Sequence, residues 1–232
     1  MKYFKPKDLK LYCFSPVVML GTCIVEIAFA LWAIFRYKMN EAGRLVVLIL
    51  VFLAIFQIAE FNVCETGWID SLLASRLGYV AITMLPPLGI HLAYALAGAK
   101  KRPLLIPAYA TAALFAVFFL FIGQALSGHL CLGNYVIFQV LPGSVWLYAL
   151  YYYGWMIAGV RLCFTLQSGK LRAASALTGL AVGYLAFMVP TTTINFLDRA
   201  TIEGIPSIMC GFAVVLAVTL VVWVLPKAGR KR

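Results

Sequence analysis

Carboxyl, amide, imidazole, thiol and phenol groups set within apolar sequence are where this chain can hold a ligand or a proton, because such groups are costly in hydrocarbon. Gln57, Glu60 and Cys64 fall at i, i+3 and i+7, so on a helix they form one polar stripe. An amide and a carboxyl in or near hydrocarbon cost about 2–3 kcal/mol each unless they meet partners or water, which predicts an inward-facing stripe. A hydrated carboxylate close to the bilayer surface is the plainer alternative. Glu26 lies in another apolar stretch, with no Lys or Arg deep in any apolar run to pair with it. It is expected to be neutral or hydrogen-bonded and to fix helix packing, since a proton relay needs a second acid at similar depth.

Two apolar runs carry proline followed by polar groups. Pro86 and Pro87 precede His91 by about one turn, and Pro190 is followed by Thr191, Thr192, Thr193 and Asn195. Proline removes a backbone donor, so both runs should kink. His91 then has a structural role, bonding freed carbonyls or a neighbouring helix, and the threonine hydroxyls repair the second ladder. Trp146, Tyr148, Tyr151, Tyr152, Tyr153 and Trp155 crowd one half of a further run. Part of this is an interfacial belt, but three consecutive tyrosines point in three directions, and at least one must face the interior. Gln57, Glu60, Tyr148, Tyr151, Tyr152, Thr192 and Asn195 are therefore the expected lining of a pocket. Its carboxyl favours a cationic or hydrogen-bond-donating ligand, and its rings can stack on it or offer cation–π contact. Glu26, Pro86, Pro87, His91 and Pro190 are expected to be structural or coupling residues.

Other chemistries lack their residues. The last apolar run, 205–225, contains no lysine for a retinal Schiff base, and His91 and His129 lie at depths too different for bis-histidine haem. Glu60 or Glu65 with Cys64, His129 and Cys131 have no recognised zinc spacing, so no metal is expected. No phosphate-binding glycine loop, H-E-x-x-H or nucleophile elbow occurs, so neither an enzymatic activity nor a cofactor is expected. Of six cysteines, Cys64 and Cys131 fall at the ends of segments on one side, making them the candidate disulfide, with two free thiols as the alternative. Cys163 falls on the opposite side and is expected to stay reduced.

The elements that must position these groups follow from composition. The 232 residues are 64% hydrophobic and 12% charged, outside the range of a soluble domain. Apolar runs at 11–35, 45–63, 77–98, 104–123, 145–166, 174–194 and 205–225 predict an all-α seven-helix transmembrane bundle forming one domain, 1–232. The longest connection is 124–144. Thirteen of the nineteen Lys and Arg fall on one side of the alternating runs: Arg36, Lys38, Arg44, Lys100, Lys101, Arg102, Arg161, Lys170, Arg172, Lys227, Arg230, Lys231 and Arg232. The other side has Lys2, Lys5, Lys7 and Lys10 near the start, Arg76 and Arg199. This asymmetry places the N-terminus outside and the C-terminus in the cytoplasm, and it explains the +11 net charge without a nucleic-acid partner; the membrane is expected to be a bacterial inner membrane. The lysine-rich start with Ala28-Phe29-Ala30 also looks like a signal sequence, but its apolar run is too long and includes Glu26.

The segment from Arg76 to Lys100, with Leu85-Pro86-Pro87-Leu88-Gly89-Ile90-His91 at its centre, resembles the third helix of the seven-helix membrane sensor region found at the N-terminus of many bacterial and archaeal histidine kinases. The resemblance implies a receptor-like sensor whose outer half detects a signal. Those proteins continue into kinase, cyclase or phosphatase modules, whereas this sequence stops at Arg232 shortly after Pro226, so signalling is expected to require a protein partner in the membrane or cytoplasm. A non-catalytic subunit or scaffold of a larger membrane complex is the alternative function. A small transporter is third, because inverted halves and paired broken helices are not evident.

Overall fold

Two short polar side chains decide where helices begin. Asn40 accepts a hydrogen bond from the Gly43 amide at 2.8 Å, and Asp70 accepts from the Leu72 amide at 3.2 Å, each satisfying a donor that a first turn leaves open. The helices they cap therefore start at Glu41 and Ser71, ahead of the runs at 45 and 77 that hydropathy picks out. A computed structural model describes residues 16–131, 136–167, 171–197, 201 and 204–229. The lysines near the start, Lys170, Arg199 and the basic residues from Arg230 onward lie outside the described residues, as do positions 11–15 of the first run.

The order is α1 (Pro16–Arg36), α2 (Glu41–Phe61) extended by a π turn (Asn62–Thr66), α3 (Ser71–Thr83), α4 (Leu85–Ala97), α5 (Leu105–Phe121), β1 (Leu126–Cys131), β2 (Val136–Val140), α6 (Ser144–Thr165), α7 (Leu171–Leu197), α8 (Ile205–Thr219), a second π turn (Leu220–Val224) and α9 (Leu225–Ala228). The fold is overwhelmingly helical. Among the described residues five stretches, Pro16–Arg36, Glu41–Glu65, Ser71–Ala97, Leu171–Leu197 and Ile205–Ala228, are long and apolar enough to cross a membrane, as expected of a multi-pass membrane protein. α5 is apolar but has only 17 residues, about 25 Å at 1.5 Å per residue, and α6 has 22 residues but a tyrosine-rich first half.

The connection read as a 124–144 loop holds a hairpin. β1 and β2 pair antiparallel from Leu126↔Val140 to Cys131↔Val136, with an irregularity between Leu126 and Gly128. Strand pairing lets this stretch satisfy its backbone groups while folding back over the helix ends.

The third run breaks where the proline pair predicts, but the break falls at Met84, between α3 and α4, so that Pro86 and Pro87 sit in the first turn of α4. First-turn amides have no intrahelical acceptor, so prolines are tolerated there. The carbonyl that Pro87 leaves without its i+4 donor is that of Thr83, and the Tyr151 hydroxyl donates to it at 2.6 Å. Tyr148 donates to the Thr83 hydroxyl at 3.0 Å, and that hydroxyl donates in turn to the Tyr79 carbonyl at 2.6 Å. The repair thus comes from α6 and not from His91. In α7, Pro190 lies inside a continuous helix, and Thr191, Thr192 and Thr193 each donate to the carbonyl four residues earlier at 2.8 Å.

Helix packing brings the alternate connections to opposite ends. One end is basic. There the Asn40 amide donates to the Ala228 carbonyl at 2.9 Å, and Lys227 reaches Ser175 and lies 5.2 Å from the centre of the Trp223 ring. At the other end a disulfide joins Cys64 of the first π turn to Cys131 of β1, with Cα atoms 5.8 Å apart, as suits the predicted pair. Arg76 there donates to the Leu120 and Gly123 carbonyls at 3.3 and 3.5 Å, covering the C-terminal end of α5. Between the ends, Gly89 lets α4 meet α7, since a Cβ at that position would fall 1.1 Å from the Tyr184 hydroxyl.

Candidate functional site

A cavity of about 190 Å³ lies in the disulfide-end half of the bundle, and thirteen residues from several elements enclose it. α3 contributes Tyr79 and Ile82; α6 contributes Val145, Tyr148, Ala149, Tyr152 and Tyr153; and Ile205, Pro206 and Met209 begin α8. Strand β2 covers it with Phe138, Gln139 and Val140. None of the thirteen lining residues carries a formal charge. For scale, an apolar cavity of about 150 Å³ accommodates benzene.

Three anchors hold the covering strand. The disulfide fixes β1 to the end of α2, the Val136 amide donates to the Ser207 hydroxyl at 3.1 Å, and the Leu141 amide donates to the Ala125 carbonyl at 3.1 Å. Phe138 packs edge-on to Tyr79 at 5.3 Å between ring centres and lies 6.1 Å from Phe56. Tyr148 lies 5.7 Å from Tyr79 and 6.0 Å from Tyr152, tilted to both. Among the described residues the hydroxyls of Tyr79 and Tyr152 have no hydrogen-bond partner, although Tyr152 is only 7% exposed. Tyrosine at such burial normally pairs its hydroxyl, so two open hydroxyls on one cavity are a feature a ligand can use.

The predicted lining divides into three groups. Tyr148 and Tyr152 face the cavity. Thr192 and Asn195 lie behind it, hydrogen-bonded to Tyr153, which does line it. Tyr151, Gln57 and Glu60 do not line it. Tyr151 is occupied by the Thr83 carbonyl, and the Gln57 amide donates to the Cys210 carbonyl at 3.2 Å. Glu60 is hydrogen-bonded to Ser207 and lies near Tyr79, so it sits behind the cavity wall. The stripe does face inward as the sequence requires, with Gln57 and Glu60 each 2% exposed. It reaches the cavity only through Ser207 and Tyr79, because α8 and α3 stand in front of it. A carboxyl lining the cavity, the basis for expecting a cationic ligand, is thus replaced by one set behind its wall.

Two buried carboxyls retain unpartnered oxygens: both of Glu26, which is 0% exposed, and one of Glu60. Both lie near Cys210 of α8, so Glu26 has an acid within the same helix interface, where the sequence alone located none. Cys23, Cys163 and Cys210 are free and buried.

His91 is far from the cavity. Its Nε2 is 3.0 Å from the Glu41 carboxyl and its Nδ1 is 3.1 Å from the Tyr109 hydroxyl, an arrangement met by an Nε2–H tautomer accepting from Tyr109. Arg102 grips the same Glu41 through both terminal nitrogens, one of them at 2.9 Å, and this pairing raises the Arg102 pKa. His91 therefore bridges α4 to α2 and α5 at the basic end.

Among the described residues no group of three His, Cys, Asp or Glu is placed to hold a metal ion. His129 pairs across the hairpin with Phe138. Of the thirteen lining residues only Tyr148 and Tyr152 were expected from the sequence; among those passed over are Tyr79, Tyr153, Met209 and the β2 residues. The signal for β2 was present in Gly133-Asn134 between two apolar runs and in the strand-like Val136-Ile137-Phe138-Gln139-Val140. No protein-family model matches this chain, nor does any curated protein sequence.

Proposed function

We propose that this protein is a receptor-like membrane sensor: a bundle of seven spanning helices, disulfide end outside and basic end in the cytoplasm of a bacterial inner membrane, that binds a small molecule in the cavity beneath the hairpin. The observation that carries the reading is the cavity itself, an uncharged aromatic space of about 190 Å³ with two tyrosine hydroxyls unpaired among the described residues and a strand across it. A closed core of this composition would pair those hydroxyls, whereas a ligand site needs a few convergent polar groups on apolar walls. α3, up to Ile82 just before the break at Met84, and the start of α8 both line the space, and the chain continues from each into helices that reach the basic end. Occupation of the cavity can therefore bias the helix ends that a cytoplasmic or membrane partner would read. The thiol pair fits the proposed orientation, since disulfides persist in oxidising compartments.

The test is a small-molecule panel of substituted phenols, aliphatic alcohols and amines screened by thermal unfolding of the chain in lipid nanodiscs. Stabilising compounds should lose their effect in Ala149→Trp, which fills the cavity from α6. Stabilisation that survives this substitution, or a panel without a single stabilising compound, would refute the reading. Reporter fusions must also place Lys100 inside and His129 outside.

A further inference from the structure

We infer that the cavity selects a quaternary ammonium group, whether a free solute or a lipid headgroup; this rests on the ligand-site reading above and names its ligand class. The wall contains five aromatic rings, those of Tyr79, Phe138, Tyr148, Tyr152 and Tyr153. Neighbouring rings are tilted, with 86° between the planes of Tyr79 and Phe138, 44° between Tyr79 and Tyr148, and 48° between Tyr148 and Tyr152. Rings set at such angles present negative π faces and positive edges in several directions, unlike a parallel stack that buries face on face. Behind Tyr79 lies the buried Glu60 carboxyl, set outside the wall, so the ring faces alone supply the attraction for a cation. Among the described residues no Lys, Arg or His lines the space.

The choice among ligand classes follows from what each would lose on leaving water. An anion would meet aromatic faces with no lining cation among the described residues to balance it. A primary ammonium carries three N–H donors, and the lining side chains among the described residues offer as acceptors the Gln139 amide and the tyrosine hydroxyls, of which Tyr148 is already engaged by Thr83 and Tyr153 by Thr192 and Asn195. A quaternary ammonium has no N–H to satisfy and spreads its charge over methyl groups, so desolvation is smallest for it while attraction to ring faces is retained. A trimethylammonium head is also close to benzene in bulk, which an about 150 Å³ cavity holds. The hydroxyls of Tyr79 and Tyr152 can receive an alcohol or ester oxygen at the other end of such a ligand.

The experiment uses the full chain in nanodiscs of phosphatidylethanolamine and phosphatidylglycerol, titrated with choline and with its neutral isostere 3,3-dimethylbutan-1-ol. Choline should bind about tenfold or more tightly than the isostere, a factor in the range of desolvated cation–π contact. Tyr152→Leu should reduce that ratio, and Tyr152→Phe should keep it while weakening both ligands. Equal affinity for the two would overturn the cation selection and leave the ligand site standing. Absence of binding by choline would also overturn it, and choline binding unchanged in Ala149→Trp would overturn the site as well. Repeating the titration in phosphatidylcholine nanodiscs separates the sources: weakened choline binding identifies the lipid headgroup as occupant, and unchanged binding identifies the free solute.

Discussion

The two ends of the bundle are held together by different means. At the basic end the helices are joined by directed polar contacts: Arg102 and His91 on Glu41, Asn40 on the last carbonyl of α9, Lys227 on Ser175. At the other end a covalent bond and a hairpin span helices that enclose an aromatic cavity. Partly exposed charges are individually weak and adjustable, while a disulfide fixes one point and leaves the space beneath it open. A bundle clamped by polar groups at one end can therefore keep an empty volume at the other without collapsing onto it.

The contrast breaks most readily at the disulfide. Paired Cys64→Ser and Cys131→Ser should lower stability by about 2–4 kcal/mol in thermal unfolding and speed proteolysis in the hairpin. A basic-end substitution with an equal effect on hairpin cleavage would show that the two ends are not separable.

Next comes the waist between them. Gly89→Ala must displace the Tyr184 ring and should cost about 1–3 kcal/mol, with Gly89→Ser no milder. If Tyr184→Phe does not partly rescue Gly89→Ala, the close approach of α4 to α7 is not where the strain falls.

Tyr151→Phe sharpens the division within the tyrosine run. It leaves the Thr83 carbonyl unpaired at the helix break and should cost about 1–3 kcal/mol with unaltered ligand preference. Tyr152→Phe removes a hydroxyl that has no partner among the described residues and should leave the stability of the empty protein within about 0.5 kcal/mol. Reversal of these two effects would exchange their roles.

The smallest effect belongs to the basic end. Glu41→Gln should cost under about 1 kcal/mol, since the carboxyl and the Arg102 side chain are 47% and 26% exposed. High salt should erase that difference while leaving the effect of the cysteine substitutions intact, read as the unfolding midpoint of each variant across a salt series.

Much of this architecture was legible in local sequence. Runs of apolar residues locate helices because hydrocarbon solvation acts residue by residue, and the segregation of Lys and Arg to alternate connections anticipated the basic end. Gln57 and Glu60 faced inward because their spacing and their cost in lipid are both properties of one helix. Cys64 and Cys131 could be named as a pair because only those two were expected on the oxidising side.

What lines the cavity was decided by tertiary packing. Three adjacent tyrosines are equivalent by composition, yet Tyr151 serves the Thr83 carbonyl, Tyr152 opens onto the space and Tyr153 engages α7, according to which helix stands opposite each ring. Glu60 faces inward in either description, but whether it lines the space or stands behind its wall depends on how α3 and α8 cross in front of it. His91 was expected beside the proline break, and a neighbouring carboxylate from α2, distant in sequence, defines its surroundings instead. Hydropathy and periodicity are sums over neighbours along one chain segment, whereas a hydroxyl's partner and a cavity's boundary are set by contacts between segments.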